Sequence, residues 1–367
     1  MVEQEPFKLC VARSIRAGLT MSNCLLILFG SGETSSVGKT IHRKVFELLR
    51  KRNQRVAVLE IPAGFQSNSE IAANEVAEVF RKSLGEFVSN VSVIPARKKG
   101  TDFSPDNPEI LEPLRRASYI FLGPGSPTYA KNQLENSLAL RMILDRWQNG
   151  SALALSSAAA LAAGNFTLPV YEIYKVGSDL YWENGLRLTE KIGLNLTIVT
   201  HWNNLEGGKD LDTSRCFMGK KRFADLEKLL PAGETILGID EHTAVIIDPA
   251  AGVLTVMGKG SGWVVKDGKE NELKNEVVYR LEVLRLGEAE EADVNLQEHF
   301  SIRVVDKVRQ TGAGEAELGE NILKLLEKRK TARSKGLFGE ADQIRKKLLD
   351  LGYEVRDKKD GQKIYIN

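Results

Sequence analysis

Two adjacent hydroxyls, one imidazole and a glycine-rich turn are the parts of this sequence best suited to chemistry. Ser156 and Ser157 close the run ALALSS and lead into AAALAAG, so they lie where a strand would turn into a helix. A serine at such a turn holds its hydroxyl clear of the backbone at the positive end of the helix, the geometry of a nucleophile elbow. His201, one of four histidines, follows the apolar run LNLTIVT. An imidazole can take a proton from such a hydroxyl near neutral pH. The turn FLGPGSP, with Gly123, Gly125 and Ser126, exposes backbone N–H groups just before a helix opening at Pro127. The plain alternative for a serine at an Ala-rich helix start is an N-cap.

Other candidates read as structural. LLILFGSGETSSVGKT, residues 25–40, ends in Gly-Lys-Thr, but the place of the first glycine of a phosphate loop is taken by Glu33. Gly32 would leave the loop one residue too long, and Glu33 would set a carboxylate against the anion. The stretch therefore reads as a first strand turning through Gly30-Ser31-Gly32 into a helix, with Glu33 at the rim of a pocket. Cys216 has no elbow around it and reads as a buried loop cysteine. His42 and His299 read as surface residues and His242 as a strand residue. No metal-ligand spacing links them, and neither metal nor cofactor is expected.

Several elements must position these groups. Apolar runs CLLILFG, RVAVLEI, VSVIP, SYIFLG, ALALSS and LNLTIVTHW recur between helical patterns such as 69–84 and 127–148. That alternation predicts an α/β fold: a mostly parallel, flavodoxin-like sheet with helices on both faces. Functional groups of such sheets gather at the carboxyl ends of the strands. From about residue 236 short runs with tight turns predict a β-hairpin extension. Residues 1–20 read as a disordered leader before Met21, itself an equally acceptable start; 21–286 as the main domain; 287–320 as a charged linker; and 321–367 as a small basic helical hairpin module.

Composition is that of an ordinary globular protein, with 42% hydrophobic residues in 367. Three widely spaced cysteines suit a reducing compartment, and no run reaches the ~20 apolar residues of a membrane span. A cytoplasmic protein is expected. Residues 321–367 hold 13 Lys and Arg against 7 Asp and Glu, net +6 in a chain of net +2. Such a tail suits a polyanion only when its charges share one face, and a solvated helix hairpin is the commoner explanation.

SSAAA, GPG, VTHW and GIDEHTA together resemble the cyanophycinase and aspartyl dipeptidase family of serine peptidases, a branch of the class I glutamine amidotransferase-like fold. The similarity covers roughly residues 24–270, and GIDEHTA, residues 238–244, is its most specific part. The resemblance implies Ser157 as nucleophile, with Ser156 as the alternative, His201 as base and Glu241 as the acid orienting it. It implies the amides of Gly125 and Ala158 as oxyanion donors. Leu155 and Ala159 occupy the flanking places usually held by glycine, and Glu172 is a second candidate for the acid. The family's closely spaced arginines after the histidine are replaced by the loop NNLEGGKDLDTSRCFMGKKRF. Its Asn203, Asn204, Asp212, Arg215 and Arg222, with Glu33 and Ser126, are the expected substrate-binding residues. The expected substrate is a small peptide or amide, and a homodimer is allowed.

The segment ARSKGLFGEADQIRKKLLDLGYEVRDKKDGQKIYI is similar to the C-terminal end of cysteinyl-tRNA synthetase. None of the synthetase's catalytic signatures or zinc-binding cysteines precedes it. The resemblance implies tRNA or another RNA as a partner, with Lys328, Arg329, Arg333, Lys335, Arg345, Lys346 and Lys347 as candidates for phosphate contacts.

Overall fold

A computed structural model describes residues 24–49, 53–288, 291–292, 320–335, 337–350, 353–358 and 361–366. The expected leader and nearly all of the expected linker lie outside them. The chain divides into two compact units, residues 1–296 and 297–367.

The first unit begins with β1 (Leu26–Phe29), α1 (Ser36–Leu49), β2 (Gln54–Leu59), α2 (Ser69–Glu78), β3 (Val88–Ile94), β4 (Tyr119–Leu122), α3 (Pro127–Leu134), α4 (Leu138–Gln148), β5 (Ala152–Ser156) and α5 (Ala158–Ala163). It continues with β6 (Phe166–Thr167), β7 (Glu183–Asn184), β8 (Leu196–Val199), α6 (Gly219–Glu227), β9 (Thr235–Ile239), β10 (Thr243–Asp248), β11 (Val253–Gly258), β12 (Gly262–Lys266), β13 (Lys269–Leu273), β14 (Val278–Arg280) and α7 (Val283–Leu286).

An eight-stranded sheet runs in the order β14-β11-β10-β1-β5-β4-β2-β3. Its β1, β5, β4, β2 and β3 are parallel, as the buried apolar runs predict. Every residue of β1 and β5 is buried, because helices cover both faces. Leu155 lies beside Leu28 and Leu122 in this register and packs in the main core.

The strand LNLTIVTHW departs from expectation. It forms β8 of a second sheet, ordered β13-β12-β9-β8, and pairs parallel to β9. The hairpin region is likewise shared between sheets, since β9 belongs to the second and β10 lies antiparallel to β1 in the first. An apolar run reveals burial but not its hydrogen-bonding neighbour, so sequence texture could not separate the two sheets. The crossing from β9 to β10 takes only residues 240–242. It carries Glu241.

His42, expected at the surface, is buried in α1 among Phe29, Phe80, Tyr119 and Phe121. Its Nδ1 lies 2.6 Å from the Tyr119 hydroxyl, and burial lowers its pKa to about 3. Charged neighbours in sequence misled here, because the helix turns position 42 toward the sheet.

The second unit holds α8 (Glu320–Ser334), α9 (Phe338–Asp350) and an antiparallel hairpin of β15 (Tyr353–Lys358) and β16 (Gly361–Ile366). Leu348 and Val355 form its small core with Leu325, Leu326 and Ile344. Among the described residues no helix is long and apolar enough to cross a membrane.

Candidate active site

Ser157 is the single residue between β5 and α5, with φ 50° and ψ −113°. A side chain is strained there, at a cost on the order of 1–3 kcal/mol. Two backbone bonds hold it: its N–H donates to the Phe29 carbonyl of β1 at 3.1 Å, and its carbonyl accepts from Leu161 of α5 at 3.0 Å. The hydroxyl makes no capping bond. It lies 2.8 Å from His201 Nε2 instead. Ser156 is fully buried and donates to Glu33 Oε2 at 2.8 Å, so of the two hydroxyls Ser157 faces the imidazole. Leu155 and Ala159 both turn into the core, which removes the need for glycine at these flanks.

His201 follows β8 and is fixed through its neighbours. The Trp202 N–H donates to Ile239 of β9 at 3.0 Å, and Cys216 N–H donates to the His201 carbonyl at 3.1 Å. Buried Trp202 explains the single glycine of GIDEHTA, since a Cβ on Gly238 would come within 2.5 Å of the indole. Glu241 Oε1 lies 2.8 Å from His201 Nδ1 and also accepts from Asn204 Nδ2 at 2.9 Å. The His201 bond first, and the Asn204 bond after it, hold the Glu241 carboxyl below the usual glutamate value of 4.5. An ionised carboxylate only accepts, so Nδ1 carries the proton and Nε2 is left to accept from Ser157.

The first turn braces this acid. A Cβ on Gly30 would lie 2.0 Å from the Asp240 carbonyl, and one on Gly32 would lie 2.3 Å from His242 Nδ1. Ser31 Oγ accepts from the His242 N–H at 3.2 Å. Gly30-Ser31-Gly32 therefore packs against the crossing that carries Glu241. Glu33 sits behind the serine turn and does not line the cavity in front of it.

That cavity has a volume of about 360 Å³. Gly125, Ser157, Ala158 and His201 line it, with Tyr171, Tyr174 and Phe217 among its walls. Gly125 has φ 151°, and a Cβ there would lie 1.9 Å from the Pro62 carbonyl, so the turn tolerates no side chain. Ala158 opens α5, where helix amides lack intrahelical acceptors. A hydroxyl, a base held in one tautomer and two cavity-lining amides can together attack a carbonyl and stabilise the oxyanion. Cys216 also borders the cavity, but burial pushes its thiol up to about 12, leaving it protonated and unreactive.

None of the seven expected substrate-binding residues lines the cavity. Besides Glu33, Ser126 caps α3 by accepting from Tyr129 N–H at 3.2 Å. Asn203 accepts from Glu241 N–H at 2.8 Å, and buried Asn204 holds the same residue's carboxylate. Asp212 accepts from the Ser214 and Lys220 amides. Arg215 stacks 3.9 Å from the Trp202 ring centroid and pairs with Glu270, while Arg222 donates to the Phe217 and Met218 carbonyls. A polar loop at the carboxyl edge suggested binding, yet its polar groups largely satisfy its own backbone. Glu172 accepts from Thr128 Oγ1 at 2.6 Å rather than orienting His201. Sequence reading missed Tyr171, Tyr174, Lys175, Glu206 and Phe217, which border the cavity. The aromatic spacing of VYEIYKV was the available signal.

In the second unit Lys335, Arg345 and Lys346 are exposed, as are Lys328 and Lys347. Arg329 is fully buried, contrary to expectation, because its face of α8 points inward; it offers no surface to a phosphate. Arg333 is half-buried, with its guanidinium 5.9 Å from the Phe338 ring centroid.

A solved peptidase from an acI-B1 Actinobacterium superposes with a TM-score of 0.57 at 22% identity, covering 71% of this chain and 98% of that one. The chain has the fold of a peptidase. A putative peptidase E protein from Listeria monocytogenes EGD-e is a second neighbour, with a TM-score of 0.44 at 15% identity over 65% of this chain and 100% of that one. Residues 315–364 match the family described as cysteinyl-tRNA ligase anticodon binding domain. A cysteine–tRNA ligase of Methanosarcina acetivorans is 40% identical over 52 residues, which are 14% of this chain and 11% of that protein. Both resemblances read from the sequence are borne out, the peptidase one in fold and the synthetase one in sequence.

Proposed function

We propose that this chain is a cytoplasmic serine-type hydrolase, a peptidase or amidase of the cyanophycinase-like kind that works through an acyl-enzyme. The supporting observation is the unbroken path from Ser157 Oγ to His201 Nε2 and from His201 Nδ1 to Glu241 Oε1, each step 2.8 Å. Ser157 Oγ attacks the carbonyl carbon of the substrate while His201 Nε2 takes the hydroxyl proton. The amides of Gly125 and Ala158 donate to the oxyanion. His201 returns the proton to the leaving nitrogen as the carbon–nitrogen bond breaks, leaving an ester on Ser157. His201 Nε2 then deprotonates a water that attacks the ester, and returns that proton to Ser157 Oγ as the ester bond breaks, releasing the acid and regenerating the hydroxyl. Glu241 stays ionised and stabilises the imidazolium of both steps. Asn203 and Asn204 are positioning residues that keep Glu241 aimed.

Rapid mixing with p-nitrophenyl acetate tests this reading. A burst of p-nitrophenolate equal to the enzyme concentration is expected, and it should vanish in Ser157→Ala. No p-nitrophenolate release above the buffer rate, or release unchanged by that substitution, overturns the mechanism.

A second reading applies to the C-terminal unit, favoured by its match to an anticodon-binding family and its exposed Lys335, Arg345 and Lys346. It would bring the hydrolase to tRNA or another RNA. Filter binding across a salt series is expected to show affinity falling steeply with salt, as phosphate contacts require; absence of RNA binding at low salt removes this reading.

A further inference from the structure

The cavity in front of Ser157 is unlike a site for charged side chains. Buried Leu161, Val170 and Cys216 line it, with the rings of Tyr174 and Phe217 packed against each other at 5.4 Å, and its uncharged polar side chains include Gln66. The charged residues that border it, Lys175 and Glu206, are exposed, and the Lys175 ammonium lies 5.1 Å from the Tyr174 ring centroid. The two loop arginines are tied to Glu270 and to backbone carbonyls. An acidic side chain entering this space would lose its hydration without meeting a buried cation, whereas an apolar one would exchange water for hydrocarbon. Apolar surface also continues outward at the mouth: Phe65 and Tyr171 are 49% and 37% exposed, with rings 6.3 Å apart.

Resting on the hydrolase reading above, we propose that the acyl group transferred to Ser157 carries an apolar side chain, aliphatic or aromatic, and that acidic side chains are rejected. A cavity of about 360 Å³ is at the small end for ligand sites, enough for one large side chain and the reacting bond. The specificity surface is Leu161, Val170, Tyr174 and Phe217, and Ala72 of α2 also lines the cavity.

The test compares p-nitrophenyl butyrate with the p-nitrophenyl monoester of succinic acid, which places a carboxylate where butyrate has a methyl, each rate taken above its no-enzyme rate because the succinyl carboxylate attacks its own ester. The full chain is expected to favour butyrate by about a hundredfold in kcat/KM, the scale on which an apolar pocket rejects a polar isostere. Ala72→Arg should raise the succinyl rate about tenfold, while the uncharged Ala72→Gln and Ala72→Met should not. Succinyl hydrolysis as fast as butyryl hydrolysis, with an intact acetate burst, overturns the apolar preference and leaves the hydrolase reading standing. Should the acetate burst itself be missing, the preference is read by NMR titration of Ser157→Ala with N-acetyl-leucinamide and N-acetyl-aspartate amide. About tenfold tighter binding of the leucine compound is the expected result, and equal or weaker binding overturns the proposal.

Discussion

Glu241→Gln removes one charge and almost nothing else. The glutamine oxygen can still accept from His201 Nδ1 and Asn204 Nδ2, now 2.8 and 2.9 Å from the carboxylate, so the imidazole keeps its place. What is lost is the attraction between carboxylate and the imidazolium formed during reaction. Both side chains are largely shielded, at 18% and 28% exposure, which suits an effective dielectric constant of about 20. Two charges about 4 Å apart then attract by roughly 4 kcal/mol. At 1.36 kcal/mol per tenfold, the expected loss in kcat is about a thousandfold, with KM little changed. Steady-state hydrolysis of an activated ester measures it, with circular dichroism confirming the fold. A rate within tenfold of the parent, while Ser157→Ala is still inactive, would refute the idea that Glu241 stabilises the imidazolium.

Three further perturbations probe different links. Gly125→Ala sets a Cβ 1.9 Å from the Pro62 carbonyl and should displace one oxyanion amide, lowering kcat about a hundredfold or more; unchanged turnover would remove Gly125 from the oxyanion hole. Ser157→Gly should raise unfolding free energy by about 1 kcal/mol over Ser157→Ala in urea titrations, because glycine relaxes the strained φ of 50°, and equal stabilities would argue against strain. His42 concerns pH: its folded value near 3 lies below that of the unfolded chain, so the unfolded state takes up the proton first and stability falls as pH drops from about 6.5 toward 3. Between pH 7 and pH 5 that loss is about 2 kcal/mol, and His42→Phe should abolish this part of the slope in urea midpoints; an unaltered slope would contradict it.

Much of this site was readable in the chain because its parts sit at element ends. The serine pair and His201 close or follow apolar strands, positions that a buried run of Val, Ile and Leu marks clearly, whereas Glu241 was reached only through the resemblance of GIDEHTA to the peptidase family. The resemblance favoured Ser157 over Ser156, and the backbone turn gives the physical reason: it brings the Ser157 hydroxyl to the imidazole and buries that of Ser156 on Glu33. The substrate-facing residues were misread for a related reason. Asn203, Asn204, Asp212, Arg215 and Arg222 are polar, as a binding rim would be, but a loop with three consecutive left-handed residues, Arg215, Cys216 and Phe217, must hydrogen-bond and brace itself. Its polar side chains do that, and the cavity wall falls to Phe217 and to the aromatic stretch near residue 171. Sheet membership of β8 and β9 was hidden because pairing depends on long-range register.

The most direct measurement is covalent. The protein is treated at neutral pH with a fluorophosphonate, which phosphonylates only an activated serine, and the modified peptide is located by mass spectrometry. One adduct per chain on Ser157 is expected, lost in Ser157→Ala and slowed at least a hundredfold in His201→Ala. Labelling at another residue, or labelling of Ser157 at the same rate without His201, would contradict the claim that this imidazole activates this hydroxyl.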